Sequence, residues 1–246
     1  MIILQNFEEI IASVNSEKGY YIGAICEQDL SLLQTLVGDQ YQKIMENNTE
    51  LTHDQIPVLK DYHSVSESLD HSKIWQKKNR ILNLEDFNKF KKTEFYSSIK
   101  RNFDDFYISD EEEVGHPELY FRIVRPAPNI DIGPLHADSW FWELGHGKMP
   151  KGKSLRRIKF WFSLLNDSNE TGFRYVSGSH KRKFQYSSEL RHGFEKPVFQ
   201  ENQYQLNISK LIGPPGSFIA FNDNLLHGGY ITQNITRVSC EFTLIV

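Results

Sequence analysis

The sequence predicts a mainly β protein with amino-terminal helices, an α+β class, and two observations on the 246-residue chain support this. Apolar residues recur at helical spacing only within about the first hundred residues. After Asp105 the chain changes to short runs of β-forming residues that turn residues separate. Because strands and helices do not alternate regularly, a doubly wound parallel sheet is disfavoured and a jelly-roll barrel is favoured.

The amino-terminal part contains the predicted helices. Residues 6 to about 13 have the pattern of a short amphipathic helix, and residues 19–25 are rich in β-forming side chains. Apolar residues recur at helical spacing from residue 27 to about 47, and residues 84–103 show a second, roughly helical repeat. The polar stretch from about 49 to 80 has no clear period.

The predicted strands follow in the second part of the chain. They cover residues 106–108, 119–124, 158–165, 174–176, 218–221 and 238–246. The acidic cluster at 110–113 is interpreted as a solvated loop that precedes the barrel. We expect one domain, in which residues 1 to about 104 form a helix-rich part that packs on the barrel and residues from about 105 to 246 form the jelly-roll core.

Composition restricts the class of partner. The 28 basic and 32 acidic residues nearly balance, so no overall field recruits nucleic acid or an anionic membrane. No segment approaches the ~20 apolar residues of a membrane helix, and the first residues lack the pattern of a signal peptide. Cys26 and Cys240 are too few for a disulfide framework. We therefore expect a cytoplasmic protein with a small-molecule substrate, without nucleic-acid or membrane partners, and of an oligomeric state that the sequence does not predict.

Three residues have the types and spacing of a metal site. His136 and Asp138 follow a Gly-Pro turn and are two residues apart, so in extended backbone both side chains point to the same face. His227 offers a third ligand, since it follows a buried-strand pattern and precedes two glycines that permit close approach. Two imidazoles and one carboxylate leave up to three adjacent positions of an octahedral metal open, as in non-haem iron(II) oxygenases.

The last predicted strand has a polar face although it is otherwise apolar. By the period of two, Arg237, Ser239 and Glu241 face one side and the apolar residues between them face the other. Buried arginine is rare without an anionic partner. The planar fork of Arg237 suits a carboxylate, to which Ser239 can add a hydroxyl donor. We favour this interpretation over an arginine paired with an acidic neighbour on an outer face.

Taken together, these residues resemble the phytanoyl-CoA dioxygenase family of Fe(II)/2-oxoglutarate-dependent oxygenases. The resemblance rests on residues 136–138, 159–167 and 171–180 and on the pair His227 and Arg237, whose order and spacing match the family. It is weaker at the amino terminus and leaves out roughly residues 49–103.

The resemblance implies a double-stranded β-helix, cupin-like core with Fe(II) held by His136, Asp138 and His227. It implies that Arg237 binds the distal carboxylate of 2-oxoglutarate and that Trp161 lines the cosubstrate pocket. The implied reaction uses O2, converts 2-oxoglutarate to succinate and carbon dioxide, and hydroxylates an aliphatic carbon. Asp138 favours hydroxylation, since related halogenases lack this carboxylate.

One departure from the family pattern concerns the cosubstrate. The hydroxyl residue often found two places after the distal histidine is Gly229 here, so we expect Ser239 to take over that contact.

The most basic stretch of the chain leaves the predicted barrel beside the metal ligands. It follows Trp140 and Trp142 and includes Lys151, Lys153 and Arg156. These cations suit an anionic substrate such as a sugar acid, a phosphorylated compound or an acyl derivative, and the tryptophans suit stacking or lid packing. A solvated basic loop explains the stretch equally well, since exposed lysine is the rule.

Two other functions are compatible with these residues. One is a non-catalytic jelly-roll binding protein that kept the barrel without turnover. The other is a zinc-dependent hydrolase, because two histidines and one aspartate also suit zinc with an open position. The intact ligand set together with Arg237 favours the oxygenase over both.

Overall fold

The structure is a computed structural model, and it describes residues 7–129, 131–147, 156–191 and 194–246. The α-helices of these residues are α1 (Phe7–Val14), α2 (Glu27–Asn48), α3 (His71–Ile74), α4 (Leu84–Phe90), α5 (Glu94–Asn102) and α6 (Asp138–Glu143). The 3-10 helices cover His53–Gln55, Leu59–Ser64, Ser66–Ser68, Lys77–Arg80, Ser179–Lys181 and Gln203–Gln205. The strands are β1 (Tyr20–Ala24), β2 (Tyr107–Ile108), β3 (Tyr120–Val124), β4 (Arg157–Leu165), β5 (Glu170–Val176), β6 (Tyr186–Arg191), β7 (Phe194–Phe199), β8 (Ile208–Ile212), β9 (Ser217–Asn222), β10 (His227–Gly229) and β11 (Arg237–Ile245).

Most of the strands belong to two antiparallel sheets. The larger sheet has the order β1-β9-β4-β11, and the other edge of β11 pairs with β3 near its start and with β2 near its end. The smaller sheet has the order β10-β5-β8. Trp161 and Ile219 of the larger sheet pack against Phe173 and Leu211 of the smaller one, so the two sheets face each other. This arrangement is consistent with the predicted jelly roll.

The larger sheet has two chemically different faces. Its outer face carries aromatic side chains, and the ring of Phe95 from α5 lies 5.5, 5.1 and 5.5 Å from the rings of Phe160, Phe162 and Phe218. The helices therefore cover this face, while the inner face carries polar side chains such as Ser239 together with Trp161 and Ile219. No helix within the described parts of the chain has the length and apolar character needed to cross a bilayer.

The predicted elements of the amino-terminal part are confirmed with two differences. α1, β1 and α2 lie where the patterns predicted them, but β1 is a member of the larger sheet, so the helix-rich part contributes a strand. The helical repeat at 84–103 is two helices, because Thr93 caps α5 by accepting a hydrogen bond from the Tyr96 N–H. The stretch without a period contains only α3 and short 3-10 helices.

In the second part of the chain, all six predicted strands are present with bounds shifted by up to four residues. The elements α6, β6, β7, β8 and β10 were not predicted. Residue 130, residues 148–155 of the basic stretch and residues 192 and 193 between β6 and β7 lie outside the described residues.

Candidate metal centre and carboxylate site

His136 and His227 lie on adjacent extended segments. The N–H of each residue donates a hydrogen bond to the carbonyl oxygen of the other, at 2.8 and 2.9 Å. Residues paired in this way place their side chains on the same side, and the two imidazole centroids are 4.4 Å apart. Strand pairing thus joins two residues that are far apart in the sequence.

Asp138 completes the group from the start of α6. Nε2 of His136 and Nε2 of His227 are each 3.7 Å from Oδ1 of Asp138. The ligand atoms of the three residues all lie within 4.8 Å of one another. The predicted extended backbone ends at Ala137, because Asp138 is already the first helical residue. The three predicted ligands are nevertheless brought together.

The hydrogen bonds of the two rings favour metal binding. Nδ1 of His136 lies 2.9 Å from the Pro134 carbonyl oxygen, and Nδ1 of His227 lies 2.9 Å from the Leu225 carbonyl oxygen. A ring that donates from Nδ1 presents the lone pair of Nε2 to a metal. Burial lowers the pKa of both histidines to about 4, so both rings are neutral near pH 7.

The carboxylate of Asp138 lacks a partner of its own. Its Oδ2 is buried and accepts no hydrogen bond from the described residues, and burial raises the pKa of this carboxyl group. An unpartnered buried carboxylate is costly unless it binds a cation. Two neutral imidazole nitrogens and one such carboxylate therefore fit a divalent transition metal.

The guanidinium of Arg237 is buried without an acidic partner among the residues that the structure describes. Arg237 is 3% exposed, its Nη1 donates a long hydrogen bond of 3.5 Å to Ser239 Oγ, and its Nε donates none. Burial lowers the pKa of Arg237 to about 10. A buried cation in this state fits a bound anion.

The surroundings of Arg237 connect it to the metal ligands. Its Cζ lies 5.8 Å from the ring centroid of Trp161, which is 4% exposed. Trp161 packs on Phe173 at 5.0 Å, and Phe173 stacks on His227 at 5.4 Å with an interplanar angle of 15°. Ring contacts thus connect Arg237 through Trp161 and Phe173 to His227, and Trp161 also packs in the core. Its role in a cosubstrate pocket stays a prediction.

Sequence reasoning assigned no role to several charged side chains near the site. Nζ of Lys159 lies 3.9 Å from Oε1 of Glu241 and 3.8 Å from Oε2 of Glu111. Nη2 of Arg122 lies 3.4 Å from the same Oε1 of Glu241. Although burial opposes ionisation, Arg122 and Lys159 hold the pKa of Glu241 below its ordinary value. The period of two could have placed Lys159 on the same face as Trp161, but not near Glu241, because that proximity depends on the register in which β4 pairs with β11.

The interpretation of residues 110–113 as a solvated loop is wrong for two of them. Glu111 accepts hydrogen bonds from the hydroxyls of Ser109 and Thr243 and pairs with Lys159. Glu112 forms an ion pair with Lys77. The segment therefore folds onto β11 and β4 beside the site.

The two tryptophans predicted near the substrate have different surroundings. Trp140 is 6% exposed and stacks on Tyr186 at 4.6 Å, so it packs the β6–β7 hairpin onto α6. Trp142 lies under the guanidinium of Arg157, whose Cζ is 4.8 Å from the ring centroid.

The predicted basic residues are only partly described. Arg156 has an exposed side chain, and its backbone pairs with Val246 through hydrogen bonds of 2.7 and 3.0 Å. Lys151 and Lys153 lie outside the described residues.

Comparisons with known proteins place the fold. No protein-family model and no curated protein matches the sequence. The structure of SnoK, a non-haem α-ketoglutarate-dependent carbocyclase from nogalamycin biosynthesis, has a TM-score of 0.53 at 10% identity, covering 97% of this chain and 83% of that chain. EctD from S. alaskensis with 2-oxoglutarate and 5-hydroxyectoine has a TM-score of 0.52 at 15% identity, covering 98% of this chain and 76% of that chain. Another EctD structure from S. alaskensis contains bound Fe.

The non-haem monooxygenase ThoJ has a TM-score of 0.52 at 12% identity, covering 94% of this chain and 75% of that chain. At these identities the similarity establishes the fold alone, which this chain shares with SnoK, EctD and ThoJ. The narrower resemblance to phytanoyl-CoA dioxygenases stays a prediction.

Proposed function

We propose that the chain is an Fe(II)- and 2-oxoglutarate-dependent dioxygenase that hydroxylates an aliphatic carbon of a small anionic metabolite and releases succinate and carbon dioxide. The observation that carries this proposal is the buried Arg237, which lacks an acidic partner among the described residues and is linked through Trp161 and Phe173 to the candidate metal ligand His227. The guanidinium fork matches the distal carboxylate of 2-oxoglutarate. A zinc hydrolase needs the metal ligands but gives no reason for this arginine.

The chain's own residues have separate tasks in this proposal. His136, Asp138 and His227 would hold iron, which with 2-oxoglutarate and O2 supplies the oxidising chemistry. The carbonyl groups that accept from Nδ1 of each histidine keep Nε2 directed at the site. Arg237 and Ser239 orient the cosubstrate through its far carboxylate. The ring of Trp161 helps to exclude water between that carboxylate and the ligands.

The substrate is proposed to be a sugar acid, a phosphorylated compound or an acyl derivative. The basic stretch after α6 supports an anion, with Arg156, Lys151 and Lys153 as its cations and Trp142 as its aromatic residue. Trp140 stacks on Tyr186, so a structural role is proposed for it instead. Asp138 supports hydroxylation, since it supplies the carboxylate ligand that halogenases lack. Membership of the phytanoyl-CoA dioxygenase family and a cytoplasmic location are proposed on the sequence alone.

An anaerobic titration tests the proposal. Fe(II) and 2-oxoglutarate added to the wild-type protein are expected to give the visible charge-transfer band of the chelate. In Arg237→Ala the affinity for 2-oxoglutarate is expected to fall at least about tenfold, because a charge-assisted bidentate contact is lost, while Fe(II) still binds. Arg101→Ala is the matched control, since this exposed arginine pairs with Glu94 on α5. Equal cosubstrate affinity in wild type and Arg237→Ala would contradict the assignment.

Turnover separates the alternatives. Succinate release in a screen of small anions is expected from an oxygenase and not from a binding protein without turnover. Activity with Zn(II) but not with Fe(II) would instead identify a zinc hydrolase.

A further inference from the structure

Two guanidinium groups pack against the ring of Tyr120 on β3. Cζ of Arg80 is 4.9 Å and Cζ of Arg122 is 5.4 Å from the centroid of this ring. In the pairing of β3 with β11, Tyr120 is opposite Glu241 and Arg122 is opposite Ser239. Paired residues share a face, so Tyr120 and Arg122 lie on the face of the sheet that carries Arg237.

The positive charge of this group is only partly balanced. Arg80 makes no ion pair within the described ranges, and its Nε is buried without a hydrogen-bond partner there. Arg122 forms an ion pair at 3.4 Å with Glu241, which also pairs with Lys159 at 3.9 Å. Because Lys159 also pairs with Glu111 at 3.8 Å, two carboxylates serve Arg122 and Lys159, and Arg80 is the cation that these ion pairs leave out.

The side chain of Arg122 is partly accessible although its surroundings are buried. Its side chain is 42% exposed, although its chain neighbours Phe121 and Ile123 are 0% and 3% exposed and Ser239 opposite it is 1% exposed. The negative charges of Glu241 and, more weakly, of Asp138 raise the pKa of Arg122. The accessible part of this guanidinium thus lies on the face of the sheet that carries Arg237.

We propose that Arg122 and Arg80, which both pack against the ring of Tyr120, bind the carboxylate or phosphate group of the substrate. This inference rests on the proposed function and assigns the anionic group of the substrate to β3 in place of the basic stretch after α6. Two guanidinium forks can share one anion, and the face of an aromatic ring holds them in place. The substrate is then a small molecule whose anionic end is held at β3 and whose uncharged part extends toward the metal ligands.

The position of the two arginines distinguishes this site from the proposed cosubstrate site. Arg237 is on β11 and contacts Gly172 of the facing sheet. Arg122 is on β3, which pairs with β11 and lies nearer the edge of the larger sheet. Arg80 precedes Ile81, which forms an isolated β-bridge with Tyr120 of β3. A carboxylate of 2-oxoglutarate has the same chemistry as a carboxylate of the substrate. Competition between an added anion and 2-oxoglutarate must therefore show which of them Arg122 binds.

Small aromatic anions provide the test. Benzoate and phenyl phosphate are titrated into the wild-type protein loaded anaerobically with Fe(II) and 2-oxoglutarate, with benzamide as the neutral match. Calorimetry and the charge-transfer band report binding. At least one of the two anions is expected to bind, and benzamide is not. Arg122→Met is expected to weaken anion binding at least about tenfold. Arg101→Met, which removes an exposed arginine of α5, is expected to bind like wild type.

A second variant guards against misfolding. Arg122→Met removes one of the two cations that pair with Glu241. The double variant Arg122→Met/Glu241→Gln removes both members of the Arg122–Glu241 pair. Thermal unfolding shows which variants are folded. Anion binding of wild-type strength in the folded variants would overturn the inference. Displacement of benzoate by additional 2-oxoglutarate at a saturated metal site would also overturn it, because it would assign Arg122 to the cosubstrate.

Failure of the proposed function gives a different result. In that case Fe(II) and 2-oxoglutarate give no charge-transfer band with wild-type protein. Calorimetry of benzoate binding to the wild-type and Arg122→Met proteins still reports whether an anion site depends on Arg122.

Discussion

A Cβ atom at residue 172 would lie 2.0 Å from Nε of Arg237 and 2.3 Å from its Cδ, so the guanidinium occupies space that only glycine leaves free. Gly172 also has a φ of +81°. Gly172→Ala must therefore displace Arg237 and adopt a strained backbone. We expect the affinity for 2-oxoglutarate to fall at least about tenfold and the free energy of unfolding to fall by about 2 kcal/mol. Charge-transfer titration and urea unfolding measure the two effects.

Gly115 offers a matched control for the backbone part of this effect. It has a φ of +86°, and a Cβ atom added there would meet nothing within 4 Å, so Gly115→Ala meets backbone strain alone. We expect it to lower stability and leave the cosubstrate affinity unchanged. If Gly172→Ala bound 2-oxoglutarate as tightly as Gly115→Ala, the glycine would not be what positions Arg237.

The stacking of Trp140 on the β6–β7 hairpin predicts a structural role for this side chain. Its ring lies 4.6 Å from Tyr186 and 6.4 Å from Phe199, nearly parallel to both. Trp140→Ala is expected to lower the free energy of unfolding by about 3 kcal/mol and to make the hairpin sensitive to limited proteolysis. Trp140→Phe keeps a stacking ring and is expected to retain most of the stability. Unchanged stability with loss of substrate-stimulated succinate release would instead indicate a direct substrate contact.

The face pattern of β11 shows what a sequence can predict about this site. A period of two is a local property, and it placed Arg237, Ser239 and Glu241 on one face. The structure confirms this, since Val238 and Phe242 belong to the core on the opposite face. The three candidate metal ligands could be singled out for a similar reason, because each lies next to a recognisable turn or glycine pair.

The neighbours of β11 were not predictable. Glu241 meets Arg122 and Lys159 because β3 and β4 pair with β11 in particular registers, and register depends on long-range pairing that local patterns do not encode. β7 contains Pro197, which weakens any strand prediction. α6 has six residues, too few for a helical period to be visible.

The ion pair of Arg157 with Asp223 is expected to position α6. Nε of Arg157 donates to Oδ2 of Asp223 at 2.7 Å, and the Asp223 carbonyl oxygen accepts from the Ser139 N–H at 2.9 Å. Because Ser139 follows the ligand Asp138, we expect Asp223→Ala and Arg157→Met each to weaken Fe(II) binding about tenfold. Competition with a chelator measures this.

A double-mutant cycle shows whether the two residues act together. A coupling free energy of about 1 kcal/mol or more is expected from a partly buried, hydrogen-bonded pair. The exposed pair of Lys89 with Glu85 on α4 is the control, and its removal is expected to leave Fe(II) affinity unchanged. Additive effects of Arg157→Met and Asp223→Ala would show that the pair does not act as a unit.

Glu118 is expected to make stability depend on pH. It is 6% exposed, and burial, reinforced by Glu111 and Glu112, raises its pKa from 4.5 to about 8. Between these values the folded protein binds a proton that the unfolded chain has lost, so the free energy of unfolding falls as pH rises from about 4.5 to about 8. Glu118→Gln cannot ionise, and at pH 8.5 we expect it to be more stable than wild type by up to about 4 kcal/mol, with little difference at pH 4.

Urea unfolding at both pH values measures this difference, with the exposed Glu50→Gln as the control. Parallel pH profiles for wild type and Glu118→Gln would show that Glu118 ionises normally in the folded protein.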